Sequence, residues 1–337
     1  MPTVRTRLSK WLVLTLALLA PTTLLATQPS AGQANHAVLQ GRLEALARRA
    51  RPGTFGVAVL DPQSGERWSV NADRAYPMMS TFKAPVAAAV FARIDRGALS
   101  MDKTVTLTRA DIVNGSAVPS IGAHFHGERM SFTVRRLLAA AVSDSDNTAV
   151  DALLKLVPPR EVTAFLRAHG ITGMRVDMGE EDVDRVFEQL APGQQPPANE
   201  TPKAEDARLQ RGYRAYLADP RNRSTADAAA DFLDKLQRGE LLSASSTRAL
   251  LALMRAQTTP DRIRQGLPGD VRFADKCGTS YTLDGLTAAY NDIGILTWPD
   301  GRSVIVAAFL TASTASKAGR EALFADLGRT IAESWHH

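Results

Sequence analysis

The sequence predicts an α/β fold. An antiparallel sheet of about five strands is built from both chain ends and flanked by helices, and an all-helical lobe is inserted between its halves. Three observations predict it. Strand-like stretches lie towards the two ends, helix-like stretches fill the middle, and one of those helices is apolar on every side. At 337 residues the chain can bury a large core. Hydrophobic content of 45% and charged content of 22% fit an ordinary globular protein.

The elements follow in order. Arg5, Arg7 and Lys10 precede WLVLTLALLAPTTLLA (11–26), too short for a comfortable membrane span and ending in small residues. This reads as a secretory signal, residues 1–34, cleaved after Ala26 or Ala34. It predicts a periplasmic or secreted protein that is not held at the membrane once the signal is removed; an uncleaved anchor is the competing reading. Without those three residues, 37 basic side chains face 35 acidic ones. No basic stripe with interleaved aromatics is present, which argues against a nucleic-acid partner. Cys277 is the only cysteine, so no internal disulfide can form.

Residues 36–50 read as an amphipathic helix, 54–61 as a strand, and 66–71 as its hairpin partner after a Pro-Gln-Ser-Gly turn. Residues 80–95 form the apolar helix, which belongs at the centre of a large domain. Three further helical stretches follow. Residues 190–224 are rich in Pro, Gln, Asn and charge and predict a long loop, with a helical piece over 206–217. Helices return at 226–238 and 245–256. Strands over 271–278, 286–298 and 303–311 precede a last helix with Leu323, Leu327, Ile331 and Trp335 on one stripe. The chain divides into an α/β lobe (35–79 and 245–337) and a mainly helical lobe (80–244). The cleft between lobes is the expected site, and a monomer is expected.

Four motifs carry chemistry. Ser80-Thr81-Phe82-Lys83 starts the apolar helix. Residues three apart share a helix face, so the Lys83 amine lies beside the Ser80 hydroxyl. A serine hydroxyl needs a neighbouring base to become a nucleophile. Ser145-Asp146-Asn147 precedes another helix, and Lys276-Cys277-Gly278-Thr279 ends a strand. Each alone also fits ordinary structure: a capping serine with a surface lysine, an N-cap cluster, or a strand running into a turn.

Together, their order and spacing resemble the class A serine β-lactamases. The segments VSDSDNTA, QTTPDRIRQGLP and GLTAAYNDIGILTWPDGR look most like the PER and VEB branch, known as extended-spectrum enzymes. The resemblance covers nearly all of residues 35–337. It implies the β-lactamase/penicillin-binding transpeptidase fold and a cofactor-free, metal-free mechanism on a small β-lactam. Ser80 would attack the lactam carbonyl, with Lys83 or a glutamate as acylation base. Ser145 would relay a proton, and Asn147 would hold Lys83 or substrate. Backbone N–H groups of Ser80 and Thr279 would form the oxyanion hole. Lys276, Cys277, Gly278, Thr279 and Arg262 would line the substrate carboxylate site.

The fourth motif lies in MRVDMGEEDVDRVFEQL, where the family carries Glu-x-x-Leu-Asn. The best register makes Glu180 the deacylating base, with Glu181 competing. Val183 and Asp184 then replace leucine and asparagine. The loop after Glu180 is longer than usual for the family by roughly twenty residues. Cys277 stands where relatives usually carry threonine, and no aromatic lies between Asp111 and Phe125, where many have an aromatic lid. His124 and His126 read as a surface pair, and Met78-Met79 as packing beside Ser80. Two alternatives stay open: a D,D-peptidase or penicillin-sensing relative that deacylates slowly, and a catalytically idle binding domain.

Overall fold

A computed structural model describes residues 1–3, 31–259 and 261–335. The signal-like run 11–26 and its basic flank lie outside them. Among the described residues, no helix is long and apolar enough to cross a membrane.

Helix α1 (Ala31–Arg49) precedes β1 (Thr54–Leu60) and β2 (Arg67–Val70). The short β3 (Tyr76–Pro77) leads through a 3-10 turn, Met79–Phe82, into α2 (Lys83–Asp95). A ribbon of β4 (Thr104–Thr108) and β5 (Arg129–Thr133) follows. Next come α3 (Val134–Val142), α4 (Asn147–Leu154), α5 (Pro159–Ala168), α6 (Glu180–Glu188) and α7 (Pro202–Ala218). Strand β6 (Arg223–Ser224) pairs with β3 and leads to α8 (Ala226–Gln237) and α9 (Ala244–Arg255). The chain finishes with β7 (Arg272–Thr279), β8 (Thr282–Leu283), β9 (Leu286–Thr297), β10 (Ser303–Ser313) and α10 (Lys317–Ser334).

The main sheet has the order β2-β1-β10-β9-β7, antiparallel throughout, with β8 added on β9. Both chain ends build it, as predicted. Its strands read as continuous apolar runs because helices cover both faces. Val57, Val59 and Val306 face α1 and α10, against Leu39, Leu43 and Phe324. Ala58, Ile293, Ile305 and Ala307 face the other core, shared with α2, α8 and α9. Lys83 to Ala92, the first ten residues of α2, are all buried, which explains its lack of a polar side.

The segment 190–224 holds the helical piece expected over 206–217, but the helix is longer: α7 runs for 17 residues from Pro202. Thr201 caps it by accepting the Ala204 N–H, and proline is well suited to the first helical position. Read only as punctuation, that proline hides a helix start. The two ribbons β3–β6 and β4–β5 were also not foreseen.

Candidate active site

The Met79–Phe82 turn fixes Ser80 at the mouth of α2. Met79 adopts φ +45°, a left-handed conformation that a non-glycine residue keeps only when its surroundings hold it. Met78 is buried, while Met79 is half-buried with its sulfur 2.8 Å from the Tyr216 hydroxyl. Lys83 Nζ donates to Ser80 Oγ at 2.9 Å, as the three-residue spacing requires. The amine is wholly buried. It also donates to Ser145 O (2.8 Å) and Asn147 Oδ1 (2.6 Å) and pairs with Glu180 Oε1 (2.9 Å). Ser80 Oγ in turn donates to Glu180 Oε1 at 3.2 Å.

The Ser145-Asp146-Asn147 segment divides its work. Asp146 is the ordinary cap of α4, accepting the Ala149 N–H at 2.8 Å. Its other oxygen accepts the Ile121 N–H at 2.8 Å. Ser145, at φ +57°, and Asn147 instead turn to the cleft. Asn147 Nδ2 donates to Asn114 O at 2.7 Å, which leaves its oxygen for Lys83.

Strand β7 forms the opposite wall. Lys276 is fully buried and donates to Ser145 Oγ at 3.0 Å, so two lysines converge on one hydroxyl. Burial chiefly, with the nearby Lys83 and Arg262 charges, pushes Lys276 down to about 8. Gly278 is dictated by space. A Cβ there would stand 2.7 Å from Met78 O and 3.0 Å from Ser80 N, so only glycine lets β7 press against the nucleophile turn.

Arg262 is buried, 5% exposed. It donates to Gly278 O (2.8 Å), Asn291 O (2.7 Å) and Thr279 Oγ1, and lies over the Tyr290 ring at 3.9 Å. Cys277 is 4% exposed, with Sγ 3.1 Å from Thr259 Oγ1. Burial opposes its ionisation, but Arg262 and Lys276 outweigh that and hold the thiol below its ordinary value.

Glu180 opens α6 and is buried, whereas Glu181 is exposed and pairs with Arg185 at 2.6 Å. Asp151, one turn after Asn147 on α4, anchors this start. Its oxygens accept the N–H groups of Glu180 (2.8 Å) and Glu181 (2.9 Å). Burial pushes Asp151 up to about 7. Gly179 makes room, since a Cβ there would meet Asp151 Oδ1 at 2.5 Å. Asp184, one turn beyond Glu180, is also pushed up to about 7, by burial and then by Glu180.

Asp151 escaped sequence reasoning, although its four-residue spacing from Asn147 was a usable signal. So did Gln257, which accepts from Lys276 (3.2 Å) and from the Cys277 N–H (3.2 Å) and donates to Asp275. Asn222 was missed as well. It accepts the Asp177 N–H (2.7 Å) and donates to Met178 O (2.9 Å), while its carbonyl accepts the Met78 N–H (3.0 Å). That joins the approach to α6 to the approach to Ser80. His124 and His126 are exposed, away from these contacts.

Ser80, Ser145, Arg262, Cys277, Thr279 and Tyr281 line one cavity of about 410 Å³. A larger hollow of about 750 Å³ lies elsewhere, between α1 and β1, with Arg48 and Arg51 on its wall. No catalytic motif lines it.

A serine bonded to a buried lysine, in a cleft between an antiparallel sheet and a helical bundle, defines a serine acyl-transfer enzyme. Comparison with known proteins makes the class specific. The family model described as "Beta-lactamase enzyme family" matches residues 38–335. The extended-spectrum β-lactamase PER-1 of Pseudomonas aeruginosa is 32% identical over 282 residues, 83% of this chain and 82% of that one. β-Lactamase VEB-1, also of Pseudomonas aeruginosa, is 28% identical, covering 83% and 85%. The solved structure of an ancestral class A β-lactamase is 35% identical, with a TM-score of 0.71 over 88% of this chain and all of that one. A β-lactamase from Chitinophaga pinensis gives 30% and 0.74 over 88% and 98%. The chain belongs to the β-lactamase family, in class A. It is a serine β-lactamase that hydrolyses the β-lactam amide through an acyl-enzyme, a class associated with antibiotic resistance. The peptidase-like and idle alternatives are not favoured.

Proposed function

We propose that Ser80 is the nucleophile and that Glu180 serves as base in both half-reactions. The observation that carries this is the Ser80 hydroxyl, held between Lys83 Nζ at 2.9 Å and Glu180 Oε1 at 3.2 Å. Ser145 O, Asn147 Oδ1 and the Glu180 carboxylate are all acceptors, a setting that suits an ammonium on Lys83. Lys83 then holds Ser80 and Glu180 in register rather than taking the proton.

As Ser80 Oγ bonds to the lactam carbonyl carbon, its proton passes to Glu180. The N–H groups of Ser80 and Thr279 receive the oxyanion; one such donor is typically worth ~3–4 kcal/mol. The C–N bond breaks and Ser145 protonates the leaving nitrogen; Lys83 restores the Ser145 proton and takes in exchange the one that Glu180 received from Ser80, which returns Glu180 to a carboxylate. Glu180 then deprotonates a water that adds to the ester, and Ser80 leaves with its proton restored. Lys276, Thr279 and Arg262 fix the substrate carboxylate, with Cys277 and Gly278 beside them. Asn147 positions Lys83. The lobes 35–79 with 245–337, and 80–244, supply the two walls.

Glu180→Ala tests the assignment, with a chromogenic cephalosporin and intact mass followed together. Turnover should fall about 10²–10⁴-fold, and the adduct on Ser80 should both form more slowly and persist longer than in the native enzyme. Unchanged turnover would remove Glu180 from the role. We further infer a periplasmic or secreted monomer acting without metal or cofactor. The basic-then-apolar start of the chain supports export, and the relatives are themselves β-lactamases.

A further inference from the structure

A smaller cavity, of about 270 Å³, lies at the other end of β7 from the catalytic residues. Among the described residues, none lines both this cavity and the one at Ser80. Arg272 opens β7 and stands four residues before Lys276, about 13 Å along an extended strand. Arg255 ends α9, and Gln237 ends α8. These three side chains line the cavity over a floor that includes Ala274 and Ile295. Alternation along β7 puts Arg272 and Ala274 on one sheet face, the face that packs against α8 and α9.

Both arginines are exposed, and neither has a carboxylate, carbonyl or ring partner among the described residues. Their neighbours are spent differently. Arg238, one residue past Gln237, pairs with Asp234 at 2.8 Å, and Arg264 pairs with Asp275 at 2.7 Å. No acidic side chain among the described residues lines the cavity. Two guanidinium groups in one hollow, with no carboxylate to neutralise them, draw an anion. Each offers a planar fork of N–H donors that matches the oxygens of an oxyanion.

Gln237 narrows the choice of anion. Its Nε2 donates to Ser303 Oγ at 2.8 Å, which fixes the amide. Its Oε1 is buried and accepts from no donor among the described residues. A buried acceptor left unpaired costs free energy, and a donor on the ligand recovers it. The cavity thus calls for negative charge and an O–H on one small molecule. At neutral pH sulfate and simple phosphate monoesters are dianions without an O–H. Hydrogen phosphate carries both, three oxygens for the guanidinium groups and one O–H for the amide. We propose that this cavity is a binding site for hydrogen phosphate, with Arg255 and Arg272 on its oxygens and Gln237 Oε1 accepting its O–H. The site does not depend on Ser80 being the nucleophile.

Modification by phenylglyoxal, read arginine by arginine from peptide masses, tests this on the native protein. Ionic strength is held constant with sodium chloride while hydrogen phosphate, sulfate or neither is added. Exposed Arg129 on β5 is the reference. Relative to it, hydrogen phosphate should slow modification of Arg255 and Arg272 about threefold or more, and sulfate should protect less. Gln237→Met removes the acceptor and should bring protection by phosphate down to the sulfate level. Unchanged turnover of a chromogenic cephalosporin shows that this variant folds. Gln237→Glu keeps the side-chain shape, repels the anion, and should abolish protection by either one. Three results overturn the proposal: no protection of Arg255 and Arg272 beyond that of Arg129, equal protection by sulfate and phosphate in the native protein, or a preference for phosphate that survives both substitutions.

Discussion

Replacing Asp184 with asparagine tests the carboxylates gathered at α6. Asp184 is half-buried, and its carboxyl has no hydrogen-bond partner among the described residues. Burial, reinforced by Glu180, Glu188 and Asp151 and opposed by Lys83, pushes it up to about 7 from an ordinary 3.8. Between those values the folded protein holds a proton that the unfolded chain has lost. This group's contribution to stability is therefore fully present below about pH 4 and is lost as pH rises through about 7. A gap of about three units corresponds to ~4 kcal/mol at most. Coupling to three other carboxylates and partial exposure bring it nearer 2 kcal/mol. Asparagine cannot ionise, so the variant should gain about 2 kcal/mol over native protein at pH 8.5, and little at pH 4. Urea unfolding at the two pH values measures this. An equal gain at both, or none at pH 8.5, would refute the reasoning. Turnover should carry the same signature. A neutral carboxyl can donate to a water, whereas an ionised one only accepts. The kcat ratio of variant to native should therefore rise as pH passes through about 7.

Four further outcomes follow from named contacts. Gly278→Ala drives a methyl group towards Met78 O and Ser80 N. It should lower kcat by tenfold or more, measured with a chromogenic cephalosporin. Cys277→Thr restores a stronger hydrogen-bonding group beside Thr259 and should raise kcat/KM by a hydrogen bond's worth, ~0.5–1.5 kcal/mol. In the native enzyme a small thiol reagent should inactivate at Cys277, and bound β-lactam should protect, as followed by residual activity. Tyr213→Phe leaves the Ala288 N–H without its acceptor and should cost about 1–3 kcal/mol of stability by urea unfolding.

Much of the molecule was legible in the sequence because its signals are local. Four-residue spacing placed Leu323, Leu327 and Ile331 on the buried stripe of α10, and three-residue spacing placed Lys83 beside Ser80. Strand-like runs marked the four long strands, β1, β7, β9 and β10. What stayed hidden depends on distant partners. Glu180 and Glu181 are adjacent acids with the same local pattern; Lys83 and the Ser80 hydroxyl meet one side chain, and Arg185 and solvent meet the other. Arg262 lies in a polar loop, and only the carbonyls of Gly278 and Asn291, brought close by folding, explain its burial. Helix α7 was legible over 206–217, and its first turn was obscured by Pro202.

Helix α7 reaches both sides of the cleft. Tyr216 touches Met79 next to the nucleophile, and Tyr213 holds the backbone at Tyr281. None of its residues belongs to the proposed reaction. The spacing between the walls is thus under the control of a segment whose codons are free of chemical constraint. Substitutions at Tyr213 and Tyr216 should therefore change how the cleft fits its substrate while leaving the proton-transfer groups in place.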